Sequence, residues 1–448
     1  MRERLNQLFR LREGEAGLVI VLGFLLLGNS IAIQVSNVVS VSGFLDSAGV
    51  KQIPFVWIVD MLVIVVATGL QSLVVDKFDR LSFMRVMTFA FALIYVALRL
   101  MFSLRVPGAI NYFLLYILTD VQWLFFPLIF WVMANDICEP AQAKRLFPLI
   151  AAFAFTGKLL GLGISVISPR LFERLGIDPA EILSLNVLIY LLAYATATIG
   201  LRNVRVRQTA AQHEKWQAAL TEGWGFVKEV LSFRFLMISM LALAVCDTII
   251  EFHFLAISEQ AFAGLNRYQE FYGTFKLGVT VASIIIQVLV TSRFIEHFGL
   301  KNSFFVMPAF MLLSMLAMIG FPGIVTAIVA MGLFKLNDGT IEETARKSFQ
   351  ALVPEERRGR VSMFMDSFLL AGGTILGSLV IAAILYLGPL LNIAQAYYAY
   401  LVVGAVAALI SIWAIFRMRR VYDSSLLNWR LKRRQRGASV LDKLEFSD

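Results

Sequence analysis

Ser72-Leu-Val-Val-Asp76-Lys77-Phe78-Asp79-Arg80 and, 220 residues later, Ser292-Arg-Phe-Ile-Glu296-His297-Phe298-Gly299-Leu300 carry the same punctuation. Each follows a long apolar run and precedes another, so each reads as the tight loop between the second and third helices of a duplicated six-helix half. A fixed-offset echo of this kind is the sequence trace of an internal repeat.

The rest of the chain fits that frame. Hydrophobic residues make up 59% of the 448 and charged residues 16%, with a mean hydropathy of +0.76. A water-soluble domain cannot hide that much apolar surface. Runs of about 20 apolar residues, enough to cross a bilayer core, are expected near 16–41, 53–75, 82–103, 110–134, 146–168 and 182–201. They resume near 235–257, 270–291, 303–320, 323–340, 361–387 and 395–417. The sequence therefore predicts an all-α membrane protein with twelve transmembrane helices in two pseudo-symmetric halves. Its divisions are an N-terminal bundle (1–201), a cytoplasmic linker (202–234), a C-terminal bundle (235–417) and a basic cytoplasmic tail (418–448).

Lys and Arg gather on the cytoplasmic side of a membrane. With both termini inside, most of the 40 basic residues fall in cytoplasmic segments, against Lys51, Arg105, Arg170, Arg174 and Arg267 in external loops. The net charge of +9 is thereby explained by topology, and an inner membrane of a bacterium is the expected location. The N-terminus leads into a long span without a small-residue cleavage site and reads as a retained helix. The tail, with Arg419, Arg420, Arg430, Lys432, Arg433, Arg434 and Arg436, abuts a span and is expected to touch anionic lipid headgroups. A nucleic-acid partner fits it less well, and a monomer is expected. In the linker, Trp216, Leu220, Val227 and Leu231 fall near one face of a helix, which predicts an amphipathic segment along the bundle or at the lipid interface.

A second echo relates Lys144, Gly157 and Gly161 to Arg360, Gly373 and Gly377 at an offset of 216. Small residues spaced by four let helices approach closely, so the fifth and eleventh helices are expected to pack alike. This arrangement resembles that of the major facilitator superfamily. The Asp76–Arg80 loop resembles that superfamily too, with Asp79 where it usually has Gly.

Ionisable groups at bilayer depth cost on the order of 3 kcal/mol and face a cavity or a partner. The candidates within the expected spans are Asp60, Asp120, Lys158, Asp247, Glu251, Lys276, Lys335, Asp338 and Asp366. Asp247 and Glu251 share a helix face, as do Lys335, Asp338 and Glu342. One polar cavity accounts for the set; interhelical pairing of the lysines with neighbouring acids is the alternative. Arg99, near an outer helix end, can snorkel.

Here the residues resemble a known family. Phe130-Trp131-Val-Met-Ala134-Asn135-Asp-Ile137, followed by Ala143-Lys144-Arg145-Leu-Phe147-Pro148-Leu149, is similar to the fourth-to-fifth helix region of the ATP:ADP translocases of plastids and intracellular bacteria. Glu251 and then Asn266-Arg-Tyr268-Gln-Glu-Phe271-Tyr-Gly273-Thr-Phe275 resemble the seventh-to-eighth helix region, and a weaker likeness runs through Pro354 to Ser378. The resemblance implies a facilitator-like fold and nucleotide exchange by alternating access. The family's charged first-helix stretch reads Asn29-Ser30-Ile-Ala-Ile-Gln34-Val35-Ser36-Asn37-Val38 here, with every charge replaced. Basic residues expected after Glu251 and on the eleventh helix fall at Leu255 and Thr374, and an asparagine expected on the fifth falls at Phe155.

Phosphates inside a low-dielectric cavity need cationic partners, and Lys158, Lys276 and Lys335 are the candidates. The expected path is lined by Asn29, Gln34, Asn37, Asp120, Trp123, Lys158, Glu251, Lys276, Lys335 and Asp338. Asp247, Glu251 and Asp366 are candidate coupling or proton groups, and Asp76, Arg80, Glu296, Arg357, Arg358 and Arg360 a cytoplasmic gate. The readings are a secondary transporter for a nucleotide or other organic anion, a proton-coupled transporter of an unlike solute, or a membrane scaffold or sensor.

An enzyme is not expected. Gly157–Gly163 and Gly372-Gly373 sit in apolar spans, where helix packing explains them. His213, His253 and His297 are dispersed and Cys138 and Cys246 are the only cysteines, so no catalytic constellation, metal, cofactor or disulfide is indicated.

Overall fold

In hydrocarbon every backbone polar group must be satisfied within the chain, which a helix does segment by segment. The computed structural model describes the backbone of residues 12, 15–74, 79–177, 181–202, 204, 216–350, 353, 355–388 and 395–444, and the side chains of the same residues except 70–74, 140, 216–219, 355–356 and 423–444. Among these residues there is no strand. Among the described residues, twelve helices are long and apolar enough to span a bilayer: Glu15–Ala48, Val50–Gly69, Arg80–Ser103, Gly108–Ile137, Ala141–Leu175 and Ile182–Gly200, then Leu231–Ala261, Leu265–Phe298, Leu300–Gly320, Ile324–Gln350, Arg357–Leu387 and Ala396–Tyr422. They are called the first to twelfth spans below. Ile199, Val288 and Val325 stand mostly exposed on them, as a surface solvated by lipid tails allows. The chain is an integral membrane protein.

Two compact units form. One comprises residues up to 215 together with 258–281; the other comprises 216–257 and everything from 282 onward. In the first, the first span packs against the fourth, fifth and sixth, and the third against the sixth, around Leu22, Leu25, Phe91, Tyr95, Phe126, Phe130 and Tyr190. In the second, the ninth span packs against the tenth and twelfth. The third-with-sixth pairing thus recurs as ninth-with-twelfth.

The glycine echo has the same meaning in both units. A Cβ on Gly157 would lie 2.5 Å from the Leu27 carbonyl oxygen, and one on Gly161 2.7 Å from that of Ile31. A Cβ on Gly377 would lie 2.8 Å from Thr248 Cβ, and one on Gly373 would collide with Ala244. The fifth span therefore lies backbone-to-backbone on the first, and the eleventh packs in the same way on the seventh.

The two hairpin loops differ in a way that explains Asp79. Asp79 caps the third span at φ −57°, its carboxylate accepting from the Ser82 backbone N–H at 2.9 Å. Gly299 caps the helix that begins at Leu300 with φ +77°, a conformation that favours glycine. One copy needs a glycine there; the other supplies a capping side chain instead. Hydrogen bonding by Ser82, its side chain foremost, holds the Asp79 carboxyl below the usual carboxylate range. Because the folded-state value is lowered, the stabilisation is complete above the ordinary Asp range and is lost as pH falls through the lowered value. Asp79→Ala is expected to cost about 1 kcal/mol near neutral pH, with the difference in thermal midpoint closing on acidification.

The linker helix, Trp216–Glu229, belongs to the second unit. Val227 is buried and Leu220 packs beside it, as the periodicity predicts, and Phe226 and Val230 complete the face against Phe233, Phe349, Val361 and Phe364. Leu231 departs from that expectation and is 40% exposed. The helix ends at Glu229, so the helical register does not carry across Val230 into the seventh span. The side chain of Trp216 lies outside the described residues. The basic tail continues the last helix, which runs Ala396–Leu444.

Candidate substrate site

The seventh and tenth spans bring Asp247, Glu251 and Lys335 together. The four-residue spacing puts both acids on one face, and the Lys335 ammonium donates to Glu251 Oε2 at 2.9 Å and lies 3.9 Å from Asp247 Oδ1. The three side chains are 23–34% exposed, so the cluster is accessible. Asp247 Oδ1 accepts no hydrogen bond, which leaves an acceptor position in the cluster. Lys335 Nζ also sits 4.7 Å from the centre of the Phe334 ring. Asp338, a turn further, is exposed and opens a π-helical segment, Asp338–Glu342; such segments are frequent at functional sites.

Asp366 is placed in a different network. It lies on a second π segment, Phe364–Leu369, where Arg346 pairs with it, Lys347 Nζ reaches it at 2.6 Å and Gln350 Nε2 at 2.7 Å. Arg346 also donates to Glu342 at 3.1 Å. Here the carboxylate is matched by cations from the end of the tenth span.

In the first unit, Lys276 donates to Asn37 Oδ1 and lies 5.6 Å from the centre of the Tyr272 ring. Gln34, one turn from Asn37, has a buried side-chain oxygen with no hydrogen bond. Lys158 is exposed, Trp123 is 64% exposed, and Asp120 is half-buried beside Asp60. Asn29 lies elsewhere. It is buried and accepts from Tyr190 Oη at 2.7 Å, within a chain in which Gln122 donates to Tyr190 (2.9 Å), Tyr95 to Gln122 (2.8 Å) and Asn186 to Ser36 (2.8 Å). Ser36 and Tyr95 close it at 2.6 Å. These neutral groups gave no charge signal in the sequence, although Asn29 and Ser36 stand seven apart on one helix.

Of the expected gate residues, Arg80 lies in the first unit, and Glu296, Arg357, Arg358 and Arg360 lie in the second. Arg80 pairs with Asp136 at the end of the fourth span, while Asp76 lies outside the described residues. Arg360 pairs with Glu222 of the linker helix, Arg357 Nη1 lies 3.9 Å from Glu229, and Arg358 donates to the Val353 carbonyl at 3.2 Å. Glu296 is exposed on Ser292–Phe298. Arg99 is paired with Glu181, whose carboxyl is held below its usual range by that hydrogen bond.

A second constellation lies outside the residues that the charge pattern of the spans selects. Where the fifth and eighth spans meet in the first unit, Arg170 pairs with Glu270, its Nε donating at 2.9 Å, and Gln269 donates to Ser165 O and Ser168 Oγ at 3.1 Å each. A cavity of about 580 Å³ opens beside them, lined in part by Glu173, Asn266 and Arg267. Its signal in the sequence was the block Asn266–Phe275.

Comparison with known proteins agrees with this architecture. Solved structures that share the fold include a nucleoside transporter, NupG, with a TM-score of 0.63 at 14% identity over 90% of this chain and 99% of that one, and an auto-inhibited POT-family peptide transporter, with a TM-score of 0.67 at 13% identity over 90% and 96%. The fold is major-facilitator-like. Among curated proteins, ADP,ATP carrier protein 1 of Chlamydia muridarum (strain MoPn / Nigg) is 23% identical over 202 residues, and its counterpart from Chlamydia trachomatis serovar D is 22% identical over the same length. Those alignments cover 42% of this chain and 38% of either carrier. The sequence model of the TLC ATP/ADP transporter family matches residues 55–336, more than half of the chain, and the protein belongs to that family.

Proposed function

We propose that the protein is a secondary transporter working by alternating access, and that it carries a nucleotide or another organic anion. The observation that carries this reading is the presence of lysines within the spans beside polar groups: Lys276 on Asn37 and Tyr272 in one unit, and Lys335 between Glu251 and Asp247 in the other. Keeping ammonium groups at that depth costs free energy that packing alone does not require. The relatives' names, ADP,ATP carrier and nucleoside transporter, favour the nucleotide class. Lys276, which donates to the Asn37 amide oxygen and lies beside the Tyr272 ring, is the preferred anion contact. Lys335 is already matched by carboxylates and is better suited to exchanging partners during the cycle.

In this reading both termini face the cytoplasm, as the distribution of basic residues favours, the membrane is a bacterial inner membrane, and Arg417, Arg419 and Arg420 meet anionic headgroups at the end of the twelfth span. The working unit is a monomer.

The test is a thermal-shift screen of nucleotides, nucleosides and organic anions on the purified protein, followed by counterflow in liposomes with each hit. Lys276→Met is expected to raise the KM for an anionic hit at least tenfold while a neutral nucleoside is little affected. Equal effects on both would remove Lys276 from the anion contact, and a screen without a hit would favour the scaffold reading.

A further inference from the structure

Most of the buried or half-buried carboxylates in the spans have a cation. Glu15 has Arg145, Asp136 has Arg80, Glu251 has Lys335, and Asp366 has Arg346 and Lys347. Asp60, on the second span, differs. It is 0% exposed, and neither carboxyl oxygen accepts a hydrogen bond. The charged group that acts on it is another carboxyl, Asp120 of the fourth span.

The placement is fixed by a seam between the two helices. Trp57 Nε1 donates to Tyr116 Oη at 3.1 Å. One turn along each helix, at spacings of three and four, come Asp60 and Asp120. The indole N–H nearest along the second span is therefore already committed to Tyr116, and the backbone N–H groups of a helix interior are used within the helix.

An isolated carboxylate in such surroundings costs several kcal/mol, and a second one alongside adds repulsion. Two carboxylates can also only accept, so they can touch without any hydrogen bond forming. A single proton removes both difficulties: it neutralises one group and converts it into a donor to the other.

We infer that Asp60 and Asp120 form a proton-binding site inside the first unit, a single proton being held between the two carboxyls. The proton bonds covalently to one carboxyl oxygen and is donated to an oxygen of the other carboxyl. Asp120, half-buried and one turn from the exposed Trp123, is the side from which it enters and leaves. The chemistry required is that of a small monovalent cation, for which the proton is the occupant the buried Asp60 can take without further ligands. The use of the site in coupling rests on the transporter reading; its occupancy does not.

The test is infrared spectroscopy of the purified protein in liposomes, without any transported substrate. The expected result is a carbonyl stretch of a protonated buried carboxyl at neutral pH, shifted in D2O and lost in Asp60→Asn with helix content and elution volume unchanged. In Asp120→Asn, which changes the hydrogen-bond partner and leaves Asp60 in place, the band is expected to move. No band in the wild type, or a band that neither substitution alters, overturns the inference. Sodium chloride set against choline chloride in a thermal-shift assay covers the other cation. Stabilisation by sodium that Asp60→Asn abolishes would assign the site to sodium and overturn the proton. Because no transport is measured, a failure here is separate from a failure of the proposed function.

Discussion

Lys335→Met is expected to abolish counterflow of whatever substrate the screen identifies and to destabilise the second unit by about 3 kcal/mol. That is the lower end of what removing one partner of a buried ion pair costs, because all three side chains keep some exposure. The substitution leaves Asp247, Glu251 and Asp338 facing one another with no ammonium among them, and their repulsion opposes the packing of the seventh span on the tenth. Glu251→Gln in the same background removes one of the stranded charges and is expected to return much of the stability without returning transport. The two singles and the double form a cycle whose coupling term isolates the 2.9 Å contact. Wild-type counterflow in Lys335→Met would show that the cluster serves packing only.

Gly161→Val is expected to be the most damaging change in the first unit. The Cβ alone would lie 2.7 Å from the Ile31 carbonyl oxygen and 3.0 Å from Gln34 Cβ. The carbonyl belongs to the backbone of the first span, so it cannot turn aside as a flexible side chain would, and the two helices must separate. Overpacking of this kind costs about 3 kcal/mol or more. Gly163→Ala, two positions away with nothing within 4 Å of its Cβ, is the control and is expected to fall within about 0.5 kcal/mol of the wild type. Gly377→Val, facing Thr248, is expected to behave as Gly161→Val does. The thermal midpoint and the fraction of protein eluting as a single species measure all three. Equal behaviour of Gly161→Val and Gly163→Ala would contradict the close helix contact.

The glycines show what kind of information a linear sequence carries well. Gly157 and Gly161 recur as Gly373 and Gly377 because the same close helix contact is made twice, and a repeated steric requirement leaves a repeated residue. The hairpin echo is similar, although the requirement there is met in two ways: by a side-chain cap at Asp79 and by positive φ at Gly299. Asp247, Glu251 and Lys335 were conspicuous because ionised groups are rare at bilayer depth. The neutral network through Tyr95, Gln122, Asn186 and Tyr190 was not, since hydroxyls and amides are common in spans and their value depends on meeting one another. Asn29 is a polar side chain on the first span like Gln34 and Asn37, and the fold alone shows that its side-chain oxygen accepts from Tyr190.

The sequence by itself determined the membrane class, the twelve spans, the twofold repeat and the family. These follow from local hydropathy, from spacing along a helix and from matched blocks, which are properties of neighbours in the chain. Only the tertiary structure decided which charges are matched. It set Lys335 against Glu251, surrounded Asp366 with Arg346 and Lys347, and brought Asp60 against Asp120 without a hydrogen bond to either of its oxygens. The free energy of a charge in a low-dielectric interior depends on the groups a few ångströms away, and those come from spans tens of residues apart.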